Sequence, residues 1–267
     1  MAYDHAVMFY IISLMFLLVN FYFNKPFLQL FTYIFAALAI ASNALQIFWD
    51  WQHAGIMHFY ALEDVLMLLS LSIGIFYLIL SLRYRKPYVG FFLLPIATCV
   101  GIVSLFLTPP PIQSSVLENR WLYMHIPFAV IGTAFFLTAF AAGIMYFVME
   151  KQLKEKKFGR IFDRFPPLAV IDRVNNGALY LGFAFYTVAI FASSGWARFK
   201  FDDSEILDSA GFKIKVVLSF AAWLVFGAII LIKGKFGMNA RQTALASVIG
   251  FLSVLATYIG VVVFIVR

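Results

Sequence analysis

Charged side chains are scarce in this chain: Asp, Glu, Lys and Arg make up 12% of its 267 residues. A soluble domain would carry about 25%. Hydrophobic residues make up 63% and aromatic residues 19%, which leaves too few polar side chains to cover a water-facing surface. The composition therefore excludes an ordinary soluble domain and indicates a protein embedded in a membrane.

Cysteine is almost absent as well. The single Cys99 lies in an apolar run and cannot form an internal disulfide. No C-x-x-C-H motif occurs, so the chain is not itself a c-type cytochrome. The sequence also lacks a Walker loop, an H-E-x-x-H, a G-x-S-x-G and a dinucleotide fingerprint. Because no acid, base and nucleophile converge in the sequence, we expect that the protein is not an enzyme.

Long apolar runs recur from end to end, and a helix needs about 20 such residues to cross a bilayer core of about 30 Å. The runs are continuous rather than alternating, which favours helices over barrel strands. The first run lacks a basic leading region and a small-residue cleavage site, so we expect a retained span. The predicted fold is an all-α polytopic transmembrane helix bundle, one integral membrane domain over residues 1–267. We predict eight spans, at 6–23, 27–48, 62–82, 88–107, 123–149, 174–194, 213–232 and 242–265.

Basic residues are concentrated in alternate connections between these runs, and most of the 20 Lys and Arg lie in one set. Short loops rich in Lys and Arg stay in the cytoplasm. Both termini and the loops at 49–61, 108–122 and 195–212 are therefore predicted to face outward. The net charge of +7 comes mostly from the basic inner connections, so it indicates how the protein is oriented and that it contacts anionic lipid. We expect no nucleic acid as a partner.

This topology places all four histidines on or near the outer surface. His125 opens a very apolar helix at the depth where aromatic side chains anchor in the interface. An ionisable residue there is a functional candidate by default. His53 and His58 lie in a polar loop, where a histidine can simply form hydrogen bonds, and His5 near the terminus is expected to be solvated. For each of these histidines, the alternative is a side chain that lies at the membrane interface without a specific function.

Two connections are informative in themselves. The basic segment at 150–167 is predicted to continue the fifth helix out of the membrane, where it contacts lipid headgroups or a protein partner. The outer segment at 195–212 interleaves Trp196, Phe199 and Phe201 with charged residues. Such a segment suits either a surface that lies flat on the interface or a lip over a planar aromatic ligand.

Five segments in register carry a family resemblance. They read W-L-Y-M-H at 121–125, P-L-A-V-I-D at 167–172, G-W-A at 195–197, K-V-V-L-S-F-A-A-W at 215–223 and R-Q-T-A-L-A-S at 241–247. Together they resemble the cytochrome c assembly membrane family, the CcsA-like proteins, and most of all its shorter HemX-like (YpjD-like) branch. The resemblance is strongest over residues 49–259.

The resemblance implies a multi-pass accessory protein of cytochrome c biogenesis and haem handling in the bacterial inner membrane. It implies haem b held at the outer face, with His125 as a possible ligand of the haem iron. His53 or His58 would supply the second ligand, and Trp196 would belong to the covering segment. The implied partners are the lipid bilayer, haem, and other cytochrome c assembly or haem-synthesis proteins.

Departures from the family pattern leave alternatives open. Members that present haem outside the membrane carry a W-G-x-x-W-x-W-D segment, whereas residues 198–205 here read R-F-K-F-D-D-S-E. The second outer histidine of those members, after the last span, is also missing from this sequence. One alternative is a HemX-like non-catalytic regulator of haem biosynthesis that acts through a cytoplasmic partner at 150–167. A small-solute transporter is a further alternative, although no clear internal repeat is visible.

Overall fold

The computed structural model describes residues 2–54, 62–107, 120–156, 158–199 and 210–265, and this described part of the chain is helical throughout, without strands. It contains nine α-helices and one 3₁₀ turn, Pro87–Gly90, which precedes α4. The α-helices are α1 (Ala2–Phe23), α2 (Pro26–Ala54), α3 (Leu62–Tyr84), α4 (Leu93–Leu105), α5 (Arg120–Lys154), α6 (Arg160–Arg164), α7 (Leu168–Phe199), α8 (Ala210–Phe236) and α9 (Ala240–Ile265).

The predicted fold class is confirmed, because six described helices are long and apolar enough to cross a membrane: α1, α2, α3, α5, α7 and α8. The fourth predicted span differs from the prediction. Its helix, α4, has 13 residues, which corresponds to about 20 Å of rise and is shorter than a bilayer core. The eighth predicted span forms α9, whose apolar part is described over Ala240–Ala256.

Helix ends follow local chemistry. Asn24 after α1, Arg85 after α3 and Gly237 after α8 all have left-handed backbone conformations, with φ of 50°, 52° and 69°. This conformation commonly ends a helix. At the start of α9 the side chains of Asn239 and Gln242 each accept a hydrogen bond from the other's backbone N–H, at 2.9 and 3.0 Å. These reciprocal bonds form a capping box.

Several predicted loops are shorter in the structure. The segment at 195–212 was expected to be a loop, yet α7 continues through its first five residues and α8 begins at Ala210. Likewise, α2 extends into the predicted loop at 49–61, and α5 begins within the predicted loop at 108–122. The basic segment at 150–167 continues α5 to Lys154, as predicted, and then forms α6. Polar residues extend these helices because backbone hydrogen bonding does not require an apolar side chain, and hydropathy marks only the part of a helix that lies in lipid.

The described residues form two compact units. Unit 1 comprises residues 1–118 and 152–167, and unit 2 comprises 119–151 and 168–267. Inside unit 1, α1 lies along α2, where the ring of Phe16 stacks on that of Phe31 at 5.2 Å. Tyr10 on α1 donates to the backbone oxygen of Ser70 on α3, at 3.3 Å, and the Ser70 hydroxyl donates to the backbone oxygen of Ala97 on α4, at 2.9 Å. A ring contact thus joins α1 to α2, and hydrogen bonds join α1 to α3 and α3 to α4.

Unit 2 contains α5, α7, α8 and α9 around an aromatic core. Phe136 on α5 stacks on Phe226 on α8 with ring centroids 3.6 Å apart, and both side chains are fully buried. Glycines on α5 allow close helix approach. A Cβ at Gly132 would lie 2.9 Å from a backbone nitrogen of α7, and one at Gly143 would lie 2.8 Å from a backbone oxygen of α9. The prediction that residues 1–267 form one domain stays a prediction.

Candidate functional site

His125 lies in the second turn of α5, half-buried within unit 2. Its Nδ1 atom is 2.8 Å from the backbone oxygen of Ala189 on α7. A carbonyl oxygen can only accept, so Nδ1 carries the proton and donates it. In the neutral ring this places the lone pair on Nε2, and a histidine that ligates a metal commonly donates its other ring N–H to such a carbonyl.

The backbone around His125 is unusual in one respect. Pro127 lies inside α5, two residues further on. A proline has no N–H, so the helical hydrogen-bond ladder lacks one donor at this turn. The bond from His125 to Ala189 therefore joins α5 to α7 where α5 itself is weakened.

Aromatic side chains line the helices next to this bond. Phe128 on α5 stacks on Phe185 of α7, with ring centroids 5.5 Å apart and planes at 29°. Two turns further along α5, Phe135 contacts the same Phe185 ring at 5.6 Å. The surroundings of His125 along α5 and α7 are thus apolar and rich in flat rings.

A second side-chain bond fixes α7 on its other side. Trp223 on α8 donates its indole N–H to the hydroxyl oxygen of Thr187, at 2.9 Å. The same indole stacks on Phe183 with ring centroids 5.7 Å apart and planes at 18°. The stretch of α7 that presents the Ala189 carbonyl is therefore held by α5 and by α8.

The structure does not describe the side chains of the other residues predicted for the site. His58 lies outside the described residues, as do the side chains of His53, near the end of α2, and Trp196, near the end of α7. The pairing of His125 with His53 or His58 stays a prediction, and so does the covering role of Trp196. His5 in α1 is exposed, as expected.

No group of three or more His, Cys, Asp or Glu side chains that could hold a metal ion occurs among the described residues. A haem iron has a different requirement, because the porphyrin supplies four ligands and the protein only the axial ones. His125 fits that requirement through the chemistry of its ring. Sequence reasoning missed Ala189 and the bond from Trp223 to Thr187. A backbone acceptor leaves no mark in the sequence, and no spacing rule joins residues 36 or 64 positions apart.

Residues 59–266 match the family described as cytochrome C assembly protein. The chain is similar to the cytochrome c biogenesis protein CcsA of Prochlorococcus marinus (strain MIT 9215), with 22% identity over 86% of this chain and 81% of the relative. It is similar to protein HemX of Brevibacillus brevis, with 24% identity over 73% of this chain and 68% of the relative. The CcsA of Mesostigma viride is 22% identical over 74% and 72% of the two chains.

The family match covers more than three quarters of the sequence and includes α3 to α9. It agrees with the six apolar helices long enough to cross a bilayer. This chain is a multi-pass membrane protein that belongs to the cytochrome c assembly protein family.

Proposed function

We propose that this protein is a membrane accessory protein of cytochrome c biogenesis that binds haem b at the outer membrane face, with His125 as an axial ligand of the iron. The observation that carries the proposal is the hydrogen bond from His125 Nδ1 to the Ala189 backbone oxygen. A relative named as a cytochrome c biogenesis protein supports the assignment to that process.

The bond prepares the imidazole for iron in two ways. It fixes the ring plane between α5 and α7, so that little side-chain entropy is lost when a ligand binds. It also raises the basicity of Nε2, because a donated Nδ1–H places more electron density in the ring. Haem supplies an iron atom that accepts this nitrogen and a flat porphyrin that suits aromatic neighbours such as Phe128 and Phe185.

The second axial ligand is proposed to be His53 or His58, and Trp196 is proposed to cover the porphyrin. All lie in segments that the charge pattern assigns to the outer side. We place the protein in the bacterial inner membrane, with the lipid bilayer, haem and other cytochrome c assembly proteins as its partners. We expect a binding role without catalysis of its own.

A second candidate function is favoured by the segment at 150–167 and by the similarity to protein HemX. There α5 continues to Lys154, and Phe158 has 62% of its surface exposed beside basic residues. An exposed aromatic side chain in a basic segment suits contact with another protein. In this alternative the protein is a non-catalytic regulator of haem biosynthesis that binds a cytoplasmic haem-synthesis enzyme through 150–167.

The test is the absorption spectrum of the protein purified in detergent from cells that make haem. The wild-type protein and a His5→Ala control should show a Soret band, and His125→Ala should lose it. His125→Asn is the decisive variant. Its side-chain N–H can still donate to the Ala189 carbonyl, but an amide is a poor iron ligand. We therefore expect a folded, monodisperse protein without the Soret band.

A Soret band of unchanged intensity and position in His125→Asn would contradict the proposal, because haem would then be bound elsewhere. A wild-type protein that carries no haem but retains a haem-synthesis enzyme on purification would support the regulatory alternative. Deletion of residues 155–159 should then release that enzyme.

A further inference from the structure

The short helix α6 is attached to unit 1 by aromatic contacts at both of its ends. At its first residue, the guanidinium carbon of Arg160 lies 4.7 Å from the centroid of the Tyr22 ring at the end of α1. Just after its last residue, the buried Phe165 contacts the rings of Phe91 and Phe92, with centroids 5.6 and 6.2 Å away. These side-chain contacts determine where α6 lies on unit 1.

Tyr22 is positioned by the same group of rings. The ring of the preceding Phe21 packs edge-on against Tyr22, with centroids 6.0 Å apart, and contacts Phe91 at 5.5 Å. Phe91 therefore contacts both Phe21, next to Tyr22, and Phe165, five residues after Arg160. The two partners of the cation–π contact are thus positioned through one shared ring before any ligand is present.

Both partners of this contact are accessible from outside the protein. Tyr22 has 64% of its surface exposed, and Arg160 is exposed as well. Among the residues that the structure describes, Arg160 forms no ion pair. An arginine stacked on a ring uses one face of its planar guanidinium, whereas its N–H groups lie along the edge of that plane. Arg160 therefore offers oriented donors at an open surface, where a ligand has room to bind.

The surface around Tyr22 combines positive charge with aromatic rings. Lys25 is exposed three residues further along, in a turn fixed by a hydrogen bond from its backbone N–H to the side-chain oxygen of Asn20, at 3.0 Å. Phe23 and Phe27, on either side of Lys25 in the sequence, each have more than half of their surface exposed. Positive charge next to exposed rings fits a ligand that is anionic at one end and apolar at the other.

The position of this surface selects the ligand. It lies where α1 ends and α2 begins, and the charge pattern assigns this end of the helices to the cytoplasmic side. Anionic phospholipid headgroups lie at that depth and attract basic side chains. Arginine binds a phosphate with two N–H groups at once. A free phosphate ion would engage only the cations, whereas a phospholipid also covers the exposed rings.

We propose that Arg160, Tyr22 and Lys25 form a binding site for an anionic phospholipid. Its phosphate binds the N–H edge of the Arg160 guanidinium, and Lys25 adds positive charge. Phe23 and Phe27 contact the apolar part of the lipid, and the bound lipid holds α6 at the membrane surface. The site belongs to unit 1 and His125 to unit 2, so either proposal can fail without the other.

The experiment measures which lipid stays bound. The protein is reconstituted in nanodiscs of equal parts phosphatidylglycerol and phosphatidylcholine, and the lipids retained after its release are identified by native mass spectrometry. Both lipids carry a phosphate, but only phosphatidylglycerol has a net negative charge. We therefore expect the wild-type protein to retain phosphatidylglycerol in preference. Equal retention of the two lipids would overturn the proposal, because it would show contact with a bilayer without selection by charge.

A charge variant assigns the retained lipid to this surface. Arg160→Gln removes the charge and the paired donors, and we expect it to bind phosphatidylglycerol about tenfold more weakly in a titration in detergent. This change is typical of one lost hydrogen bond to a charged group. Arg83→Gln is the matched control, because Arg83 is also exposed, carries the same charge and lies near a tyrosine ring, that of Tyr84 at 6.0 Å. It should bind as the wild type does.

A ring variant provides a second check. Tyr22→Leu keeps every charge and an apolar side chain but removes the face on which the Arg160 guanidinium lies. We expect binding about threefold weaker, the size of an exposed cation–π contact. Because this variant leaves Arg160 in place, it keeps the test decisive even if Arg160→Gln fails to fold.

The proposal is overturned if Arg160→Gln and Tyr22→Leu bind phosphatidylglycerol as tightly as Arg83→Gln does. It is also overturned if the two variants keep the lipid but lose a protein that co-purifies with the wild type, because the surface would then belong to that protein.

Discussion

Ser247 on α9 donates its hydroxyl hydrogen to the carboxamide oxygen of Asn175 on α7, across 2.7 Å. The amide nitrogen of Asn175 donates in turn to the backbone oxygen of Ala139 on α5, at 3.2 Å. Both polar side chains are buried. One carboxamide therefore provides a polar link among three of the four helices of unit 2.

Replacing that carboxamide should loosen unit 2. We expect Asn175→Ala to lower the free energy of unfolding in detergent by about 1–2 kcal/mol, the size typical of hydrogen bonds between membrane helices. The measurement is chemical unfolding in mixed micelles. Asn176→Ala is the matched control, because the Asn176 side-chain oxygen is buried without a partner. Equal losses in the two variants would show that the link to Ser247 contributes nothing.

A second expectation concerns the close approach of α5 and α7. Gly132→Ala places a Cβ 2.9 Å from the Tyr186 backbone nitrogen and 3.2 Å from the Gly182 backbone oxygen. Neither backbone can move without separating the helices, so we expect a loss of about 1–3 kcal/mol from overpacking.

Gly177→Ala is the control for that variant, because nothing lies within 4 Å of a Cβ at Gly177. Alanine is the better helix former by about 0.5–1 kcal/mol, so this variant should be neutral or more stable. Both can be measured by the same unfolding assay. A Gly132→Ala protein as stable as Gly177→Ala would mean that the two helices are not in tight contact.

Much of the fold follows from the sequence, because apolar runs of about 20 residues have few alternatives in a membrane. The roles of the polar residues inside them were less predictable. Asn43 and Ser70 join neighbouring helices by donating to the backbone oxygens of Met67 and Ala97. Ser72 and Gln46 instead form bonds within their own helices. Whether a polar side chain bonds to a neighbouring helix or within its own depends on how its helix is rotated about the helix axis. Composition does not determine that rotation.

The site was predictable only in part for a related reason. His125 could be selected as an ionisable residue near the end of an apolar helix. Its acceptor, the Ala189 carbonyl, belongs to a residue without polar side-chain atoms. The partner is set by how α5 and α7 approach each other, and a single sequence carries no signal for that.

The proposed ligand role of His125 can be tested by chemical rescue. His125→Gly should lack the Soret band, and imidazole added to the purified variant together with haem should restore it, because free imidazole can fill the space of the missing ring and bind iron. His5→Gly, treated in the same way, should show the band without imidazole. If imidazole restores no band although His125→Gly is folded, the missing ring was not supplying a ligand and its loss acts through structure.

The orientation in the membrane can be tested along a single helix. Lys213 and Lys235 are exposed residues near opposite ends of α8, separated by about 33 Å along the helix axis. This distance is enough to cross the bilayer core. In a Cys99→Ala background, which removes the exposed native thiol, we expect an impermeant maleimide to label Lys213→Cys in intact cells. Lys235→Cys should be labelled only after the cells are opened.

The label also reports the side on which His125 lies. His125 bonds to Ala189 in the last third of α7, and α8 is the next described helix along the chain, so Lys213 and His125 belong to the same end of unit 2. Basic residues flank the opposite end, where Glu150 on α5 pairs with Arg241 on α9 at 3.3 Å. If Lys235→Cys is labelled from outside and Lys213→Cys is not, the imidazole faces the cytosol. Haem would then be bound on the cytosolic side, before it crosses the membrane. That result would contradict the topology that the charge distribution predicts.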